Sequence, residues 1–217
     1  MEQYLLFDLD GTLTDPGEGI TNCVGYALQK FGVHPKSREE LYPYIGPPLV
    51  PSFEKYHGLT HEQAQQALLY YRERFSKVGM FENVPYPGIT DLLERLKGEG
   101  YRLMIATSKP QAAAELVMHH FGLDEYVPEI IGGTDDPRRN TKGKVIAWAL
   151  QELGIDPTTA IMVGDREHDV QGAAENGLPA IGITWGYGDR AELENAGAKA
   201  VLDTPEETVQ YILRGSF

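Results

Sequence analysis

The chain has 217 residues, enough for one large domain or a domain with a smaller insert around a real core. Its 41% hydrophobic and 24% charged residues are the proportions of an ordinary globular protein. With 19 basic against 32 acidic side chains the formal charge is −13, which repels nucleic-acid phosphate and anionic lipid and argues against both as partners. Cys23 is the only cysteine, so an internal disulfide and a cysteine-based zinc site are excluded. No apolar run approaches the ~18 residues of a membrane span. The sequence enters an apolar strand at once, without a charged lead or cleavage site. The expectation is a cytoplasmic protein, a monomer or weak homodimer, acting on a small molecule.

In chain order, Tyr4–Phe7 is the first strand, followed directly by Asp8-Leu9-Asp10-Gly11-Thr12. Two carboxylates ending a buried strand repel each other and are costly to desolvate, so something positive must offset them. Residues 16–82 then hold no convincing strand. Ile20, Val24, Ala27, Leu28 and Phe31 form one helical stripe closed by Gly32. A second helix begins at Thr60, where Thr-His-Glu-Gln has the capping-box form. Pro43, Pro47, Pro48 and Pro51 break the material between them, and residues 44–53 read as a loop.

From residue 83 onward strands and helices alternate. Apolar strands are predicted over 101–107, 129–131, 160–164, 180–184 and 200–202. Between them run amphipathic helices, one with the stripe Ile89, Leu92, Leu93 and Leu96, another with Val145, Ile146, Ala149, Leu150 and Leu153. This is the pattern of an α/β fold with a doubly wound, Rossmann-like parallel sheet. The domain reading is residues 1–15 and 83–217 as the α/β core, with 16–82 as an inserted helical cap.

Ligands of such a sheet bind at the carboxyl ends of its strands. There the chain presents Asp8 and Asp10, then Thr107-Ser108-Lys109, then Gly164-Asp165 with Asp169 four residues on and on the same face of the next helix. Lys142 stands just ahead of the helix before the 160–164 strand, with Lys144 as its rival for the same task. Carboxylates, a hydroxyl and an ammonium on one sheet edge suit a hard divalent cation such as Mg²⁺, which takes oxygen ligands.

These motifs, Asp-Leu-Asp-Gly-Thr-Leu-Thr-Asp at 8–15, Ile-Ala-Thr-Ser-Lys at 105–109 and Val-Gly-Asp-Arg-Glu-His-Asp-Val-Gln-Gly-Ala at 163–173, give a resemblance that spans essentially the whole chain. It resembles the haloacid dehalogenase (HAD) superfamily, in the phosphoglycolate phosphatase-like branch with a helical cap. The resemblance implies a Mg²⁺-dependent phosphatase that hydrolyses a small phosphate monoester through an aspartyl-phosphate. Asp8 would be the nucleophile. Asp10 would be the acid and base, with its carbonyl on the metal beside Asp8 and Asp165. Thr107, with the N–H groups of Gly11 and Ser108, would hold the phosphoryl group. Lys142 would hold the nucleophile and neutralise the charge in transfer. Asp169 would either orient Lys142 or hold a metal-bound water.

Gly46, Pro47 and Arg72 are the insert's candidates for choosing among a phosphorylated acid, a sugar phosphate and a nucleotide. A phosphomutase of the same fold, and a non-catalytic ligand-binding regulatory module, are the alternatives to a phosphatase.

Overall fold

A computed structural model describes residues 2–215. The elements run β1 (Tyr4–Phe7), β2 (Thr14–Asp15), α1 (Gly17–Gln29), a 3₁₀ turn (Glu39–Tyr44), α2 (Leu49–His57), α3 (His61–Phe75), a second 3₁₀ turn (Gly79–Phe81), β3 (Val84–Pro85) and α4 (Ile89–Gly98). They continue β4 (Arg102–Pro110), α5 (Gln111–His120), β5 (Glu129–Gly133), α6 (Lys142–Leu153), β6 (Ala160–Gly164), α7 (Glu167–Glu175), β7 (Ala180–Ile183), α8 (Arg190–Asn195), β8 (Ala200–Leu202) and α9 (Pro205–Leu213), with short 3₁₀ turns at Leu123–Glu125 and Pro157–Thr159. The chain divides into two compact units, residues 1–14 with 85–217, and residues 15–84. Among the described residues, no helix is long and apolar enough to cross a membrane.

The first unit is a six-stranded sheet in the order β5-β4-β1-β6-β7-β8, with every pairing parallel. The predicted doubly wound α/β sheet is therefore what the chain forms. Its central strands are buried, from Leu5 to Phe7 in β1 and along the whole of β6 and β7, because apolar helix faces cover them, while the edge strands β5 and β8 are only partly so. One such layer joins Leu6, Met104 and Met162 of the sheet to Val145, Ile146, Ala149 and Leu150 of α6 and to Val170 and Ala173 of α7. From β1 the chain builds outward to β4 and β5, then returns to lay down β6, β7 and β8 on the other side. The carboxyl end of β1 thus lies at the reversal of winding, where parallel sheets bind ligands.

Two strands run past their expected ends, β5 by two residues to Gly133 and β4 by three. β4 runs three residues beyond Thr107, with a shift of register against β5 between Thr107 and Pro110. Its pairing with β1 ends at Ile105, so Thr107 to Lys109 project past the end of β1.

The second unit is helical. Thr60 caps α3 as the sequence implies, its hydroxyl accepting from Gln63 N–H while the Gln63 side chain accepts from Thr60 N–H. Residues 44–53, read from the sequence as a loop, are a loop only to Pro48, since Leu49–His57 is helix. Pro51 falls in that helix's first turn, where a missing N–H costs nothing, so this proline does not break the segment. Tyr44 is buried against Phe53, ring centroids 5.1 Å apart, and its hydroxyl lies 2.6 Å from His57 Nδ1. Arg74 grips Glu82 through two hydrogen bonds of 2.7 and 2.8 Å and donates a third to the buried Cys23 Sγ at 3.2 Å.

Candidate active site

The turn after β1 is built to bring carboxylates together. Asp8 N–H donates to the Val163 carbonyl at 3.0 Å, continuing the β1–β6 ladder by one residue. The N–H groups of Thr12, Leu13 and Thr14 then all point to the Leu9 carbonyl, coiling the chain at once. Gly11 has φ +88°, a left-handed conformation, and a Cβ there would stand 2.3 Å from Asp165 Oδ2. Only glycine meets both demands. Leu9 and Leu13 point into the core, as their type requires.

Around this turn, Asp8, Asp165 and Asp169 each place a carboxylate oxygen within 4.8 Å of the others, and all three are buried. Lys142 Nζ lies 2.6 Å from Asp8 Oδ1 and 2.8 Å from Asp169 Oδ1, and donates a hydrogen bond to the Ala106 carbonyl at 2.9 Å. Burial works against the Lys142 ammonium, but the Asp169 and Asp8 carboxylates outweigh it and carry its pKa up to about 12. Asp165 is pushed well above the usual carboxylate range, first by burial and then by the charges of Asp169 and Asp8. Asp169 is raised too, by burial, although Lys142 pulls it down.

The start of α6 sets the two lysines apart. Lys142 is the first residue of that helix, where the sequence reading had it just ahead, and it turns inward. Lys144, two residues on, is exposed and donates to the Pro137 carbonyl and Asn140 Oδ1. Asp169 lies on the Lys142 ammonium, and its other oxygen accepts from Arg166 N–H at 3.1 Å at the start of α7.

Thr107 is buried, its hydroxyl accepting from Lys109 N–H at 3.2 Å, and Ser108 is exposed. Gly11 N–H, expected at a phosphoryl oxygen, is instead taken by the Thr14 carbonyl at 2.8 Å, because that bond closes the turn. Asp10 stands apart from the carboxylate cluster, with both of its oxygens on Lys109 Nζ, at 2.7 and 2.9 Å. Gly46, with φ +101°, Pro47 and Arg72 all belong to the helical unit, Arg72 as an exposed residue of α3.

Two contributors had no role in the sequence reading. Lys109 is one; it was placed at the strand end beside Thr107 and Ser108, and its spacing of two from Thr107 in a strand, hence on the same face, was the available signal for a role. The other is the segment Trp185–Gly188 after β7. Tyr187 N–H donates to Asp165 Oδ2 at 2.8 Å, and Trp185 Nε1–H donates to the Thr12 carbonyl at 3.0 Å. A Cβ on Gly186 would lie 2.2 Å from the Gly11 carbonyl oxygen. The Trp-Gly-Tyr-Gly run at the end of a strand was its mark in the sequence.

Among the described residues Lys142 pairs with Asp8 and Asp169, and the Arg166 guanidinium also acts on Asp165 and Asp169; a further positive charge beside the three buried carboxylates fits their oxygen-only chemistry. A hard divalent cation such as Mg²⁺ meets that demand.

Comparison with known proteins agrees with this architecture. The model of the haloacid dehalogenase-like hydrolases matches residues 5–183. A 5'-nucleotidase of Pseudomonas aeruginosa is 42% identical over 87% of this chain and 86% of its own. The tyrosine-protein kinase PtkA of Mycobacterium tuberculosis is 38% identical over 86% of this chain and 63% of its own. A solved structure of a predicted phosphatase from Clostridium acetobutylicum superposes with a TM-score of 0.93 at 45% identity, covering 99% of both chains. The chain belongs to the haloacid dehalogenase-like hydrolases, as a phosphatase of that family.

Proposed function

We propose that this phosphatase cleaves small phosphate monoesters through a phosphorylated Asp8, with nucleoside 5'-monophosphates as the first class to test. The observation that carries the reading is the Lys142 ammonium lodged between Asp8 and Asp169 beside Asp165. An anionic carboxylate attacks an anionic ester only if the repulsion between them is cancelled. Asp8, Asp165 and the Asp10 carbonyl would hold Mg²⁺, which supplies charge neutralisation of the phosphoryl oxygens.

This chain's own residues do the rest. Asp8 Oδ attacks phosphorus while the bond to the ester oxygen breaks, and the Asp10 carboxyl delivers its proton to that departing oxygen. Water then attacks the phosphorus of the aspartyl-phosphate and gives its proton to Asp10, releasing phosphate and restoring Asp8. Lys142 keeps Asp8 oriented, and Asp169 keeps Lys142 in place. Thr107, with Ser108, receives a phosphoryl oxygen. The helical unit, through Gly46, Pro47 and Arg72, chooses the substrate. The nucleotide preference is supported by the name of the Pseudomonas aeruginosa relative.

The test is a phosphate-release screen across nucleoside monophosphates, sugar phosphates and phosphoglycolate, run with Mg²⁺ on the wild type and on Asp8→Asn. The expected result is release by the wild type and none by the variant. Undiminished release by Asp8→Asn sinks the nucleophile assignment.

A further inference from the structure

Lys142 already serves the Asp8–Asp165–Asp169 cluster, yet the sheet edge holds a second buried ammonium. The Lys109 side chain is 3% exposed and its Nζ reaches both oxygens of Asp10, whose own side chain is 17% exposed. The two residues are 99 apart in the chain and come from different strands' ends, β4 and the turn after β1. A buried ion pair is a poor source of stability, because desolvating both charges offsets most of their attraction. Its presence here calls for another reason.

Asp10 precedes the left-handed Gly11 in a tight turn, and among the described residues the hydrogen bonds to its side chain both come from Lys109 Nζ. A carboxylate transfers a proton efficiently only when held within hydrogen-bond reach and correct orientation of the reacting oxygen. A grip on both oxygens by one fixed ammonium provides that orientation. β4 provides the fixity: its extension past Thr107 carries Lys109 beyond the end of β1 to the level of Asp10.

We propose that Lys109 is a positioning residue that orients the Asp10 carboxyl group for proton transfer to the leaving oxygen. The proposal rests on the acid and base reading of Asp10. Lys109 Nζ donates to both Asp10 oxygens, and Lys109 acts through that carboxyl group. Its loss therefore harms substrates whose leaving oxygen needs a proton and spares those whose leaving group departs as a stable anion.

The experiment measures kcat/KM, which reports the first phosphoryl transfer, on a nucleoside 5'-monophosphate and on p-nitrophenyl phosphate. Lys109→Met is expected to lose about 10²- to 10³-fold on the nucleotide and under about tenfold on p-nitrophenyl phosphate, the scale of a misplaced general acid. Asp10→Asn shows the same split, and the double variant Asp10→Asn/Lys109→Met falls no further than Asp10→Asn alone, because both changes remove one function. Equal losses on both substrates, or a double variant that drops by the full product of the singles, overturns the role of Lys109. If Asp10→Asn itself shows no split, the acid reading of Asp10 fails, and that outcome is distinct from a failure confined to Lys109. Lys109→Gln is run in parallel with a thermal melt of each protein. If neither variant folds, Lys109 is a structural lysine and the proposal falls.

Discussion

Replacing Lys142 with methionine removes the ammonium paired with two buried carboxylates, Asp8 and Asp169. At 2.6 Å from Asp8 and 2.8 Å from Asp169, each contact carries about 6 kcal/mol of Coulomb attraction at an effective dielectric constant of about 20. Most of that is offset by the cost of burying the charges, and the net loss on deleting one partner of a buried pair is about 3–5 kcal/mol. For a chain of this length that lowers the melting temperature by on the order of 10 °C.

The variant's pH dependence follows with a definite sign. Without Lys142, Asp169 loses the charge that pulls its pKa down, so its folded value rises further above the unfolded one. The native state then binds more protons than the unfolded state above the usual carboxylate range, and stability falls as pH rises. Lys142→Met therefore recovers part of its loss between neutral pH and pH 5, and recovers part again on adding Mg²⁺. The assay is thermal unfolding followed by circular dichroism in EDTA and in Mg²⁺, at several pH values, beside phosphate release. Lys144→Met is the control, since its exposed side chain leaves stability within about 0.5 kcal/mol. A Lys142→Met protein that melts with the wild type, or a Lys144→Met protein that loses as much, refutes the reasoning.

Two further outcomes are expected. Mg²⁺ raises the melting temperature of the wild type in proportion to the logarithm of its concentration, and Asp165→Asn abolishes that dependence by removing one of the three clustered carboxylates; an unchanged Mg²⁺ shift in the variant rejects Asp165 as a ligand. In the helical unit, burial lowers the His57 pKa although Glu40 stands 3.9 Å away, so the unfolded chain takes up a proton below about pH 6.5 that the folded one does not. Stability is complete above that pH and is lost as pH falls through it, which His57→Gln flattens in melts at pH 7.5 and 5.5; a variant as acid-sensitive as the wild type counts against this source.

How far the sequence reached differs between fold and site. The alternation of short apolar runs with amphipathic stripes determined the parallel sheet, since strands covered on both faces have no polar side to show. Its strands at Tyr4–Phe7, Ala160–Gly164 and Ala200–Leu202 fall where that pattern put them. Asp8 and Asp165 were placed together on the sheet edge by their positions at two strand ends, and the structure brings their carboxylates together there. Local readings failed where one residue's effect depends on its place in an element. Pro51 looked like a breaker and sits in a helix's first turn, and Gly11 N–H looked open and closes its own turn.

What only the tertiary structure decided is which charge faces which. Lys142 and Lys144 are two residues apart, and locally only their places at the helix start separate them; the packing of α6 on the sheet turns one into the carboxylates and the other into solvent. Asp8 and Asp10 are equally close in sequence, yet one meets Lys142 and the other Lys109. The sequence by itself determined that opposed charges would gather at one sheet edge. Their pairing follows from distances of 2.6 to 2.9 Å between residues as far as 134 positions apart, Asp8 and Lys142, and only the folded sheet sets those distances.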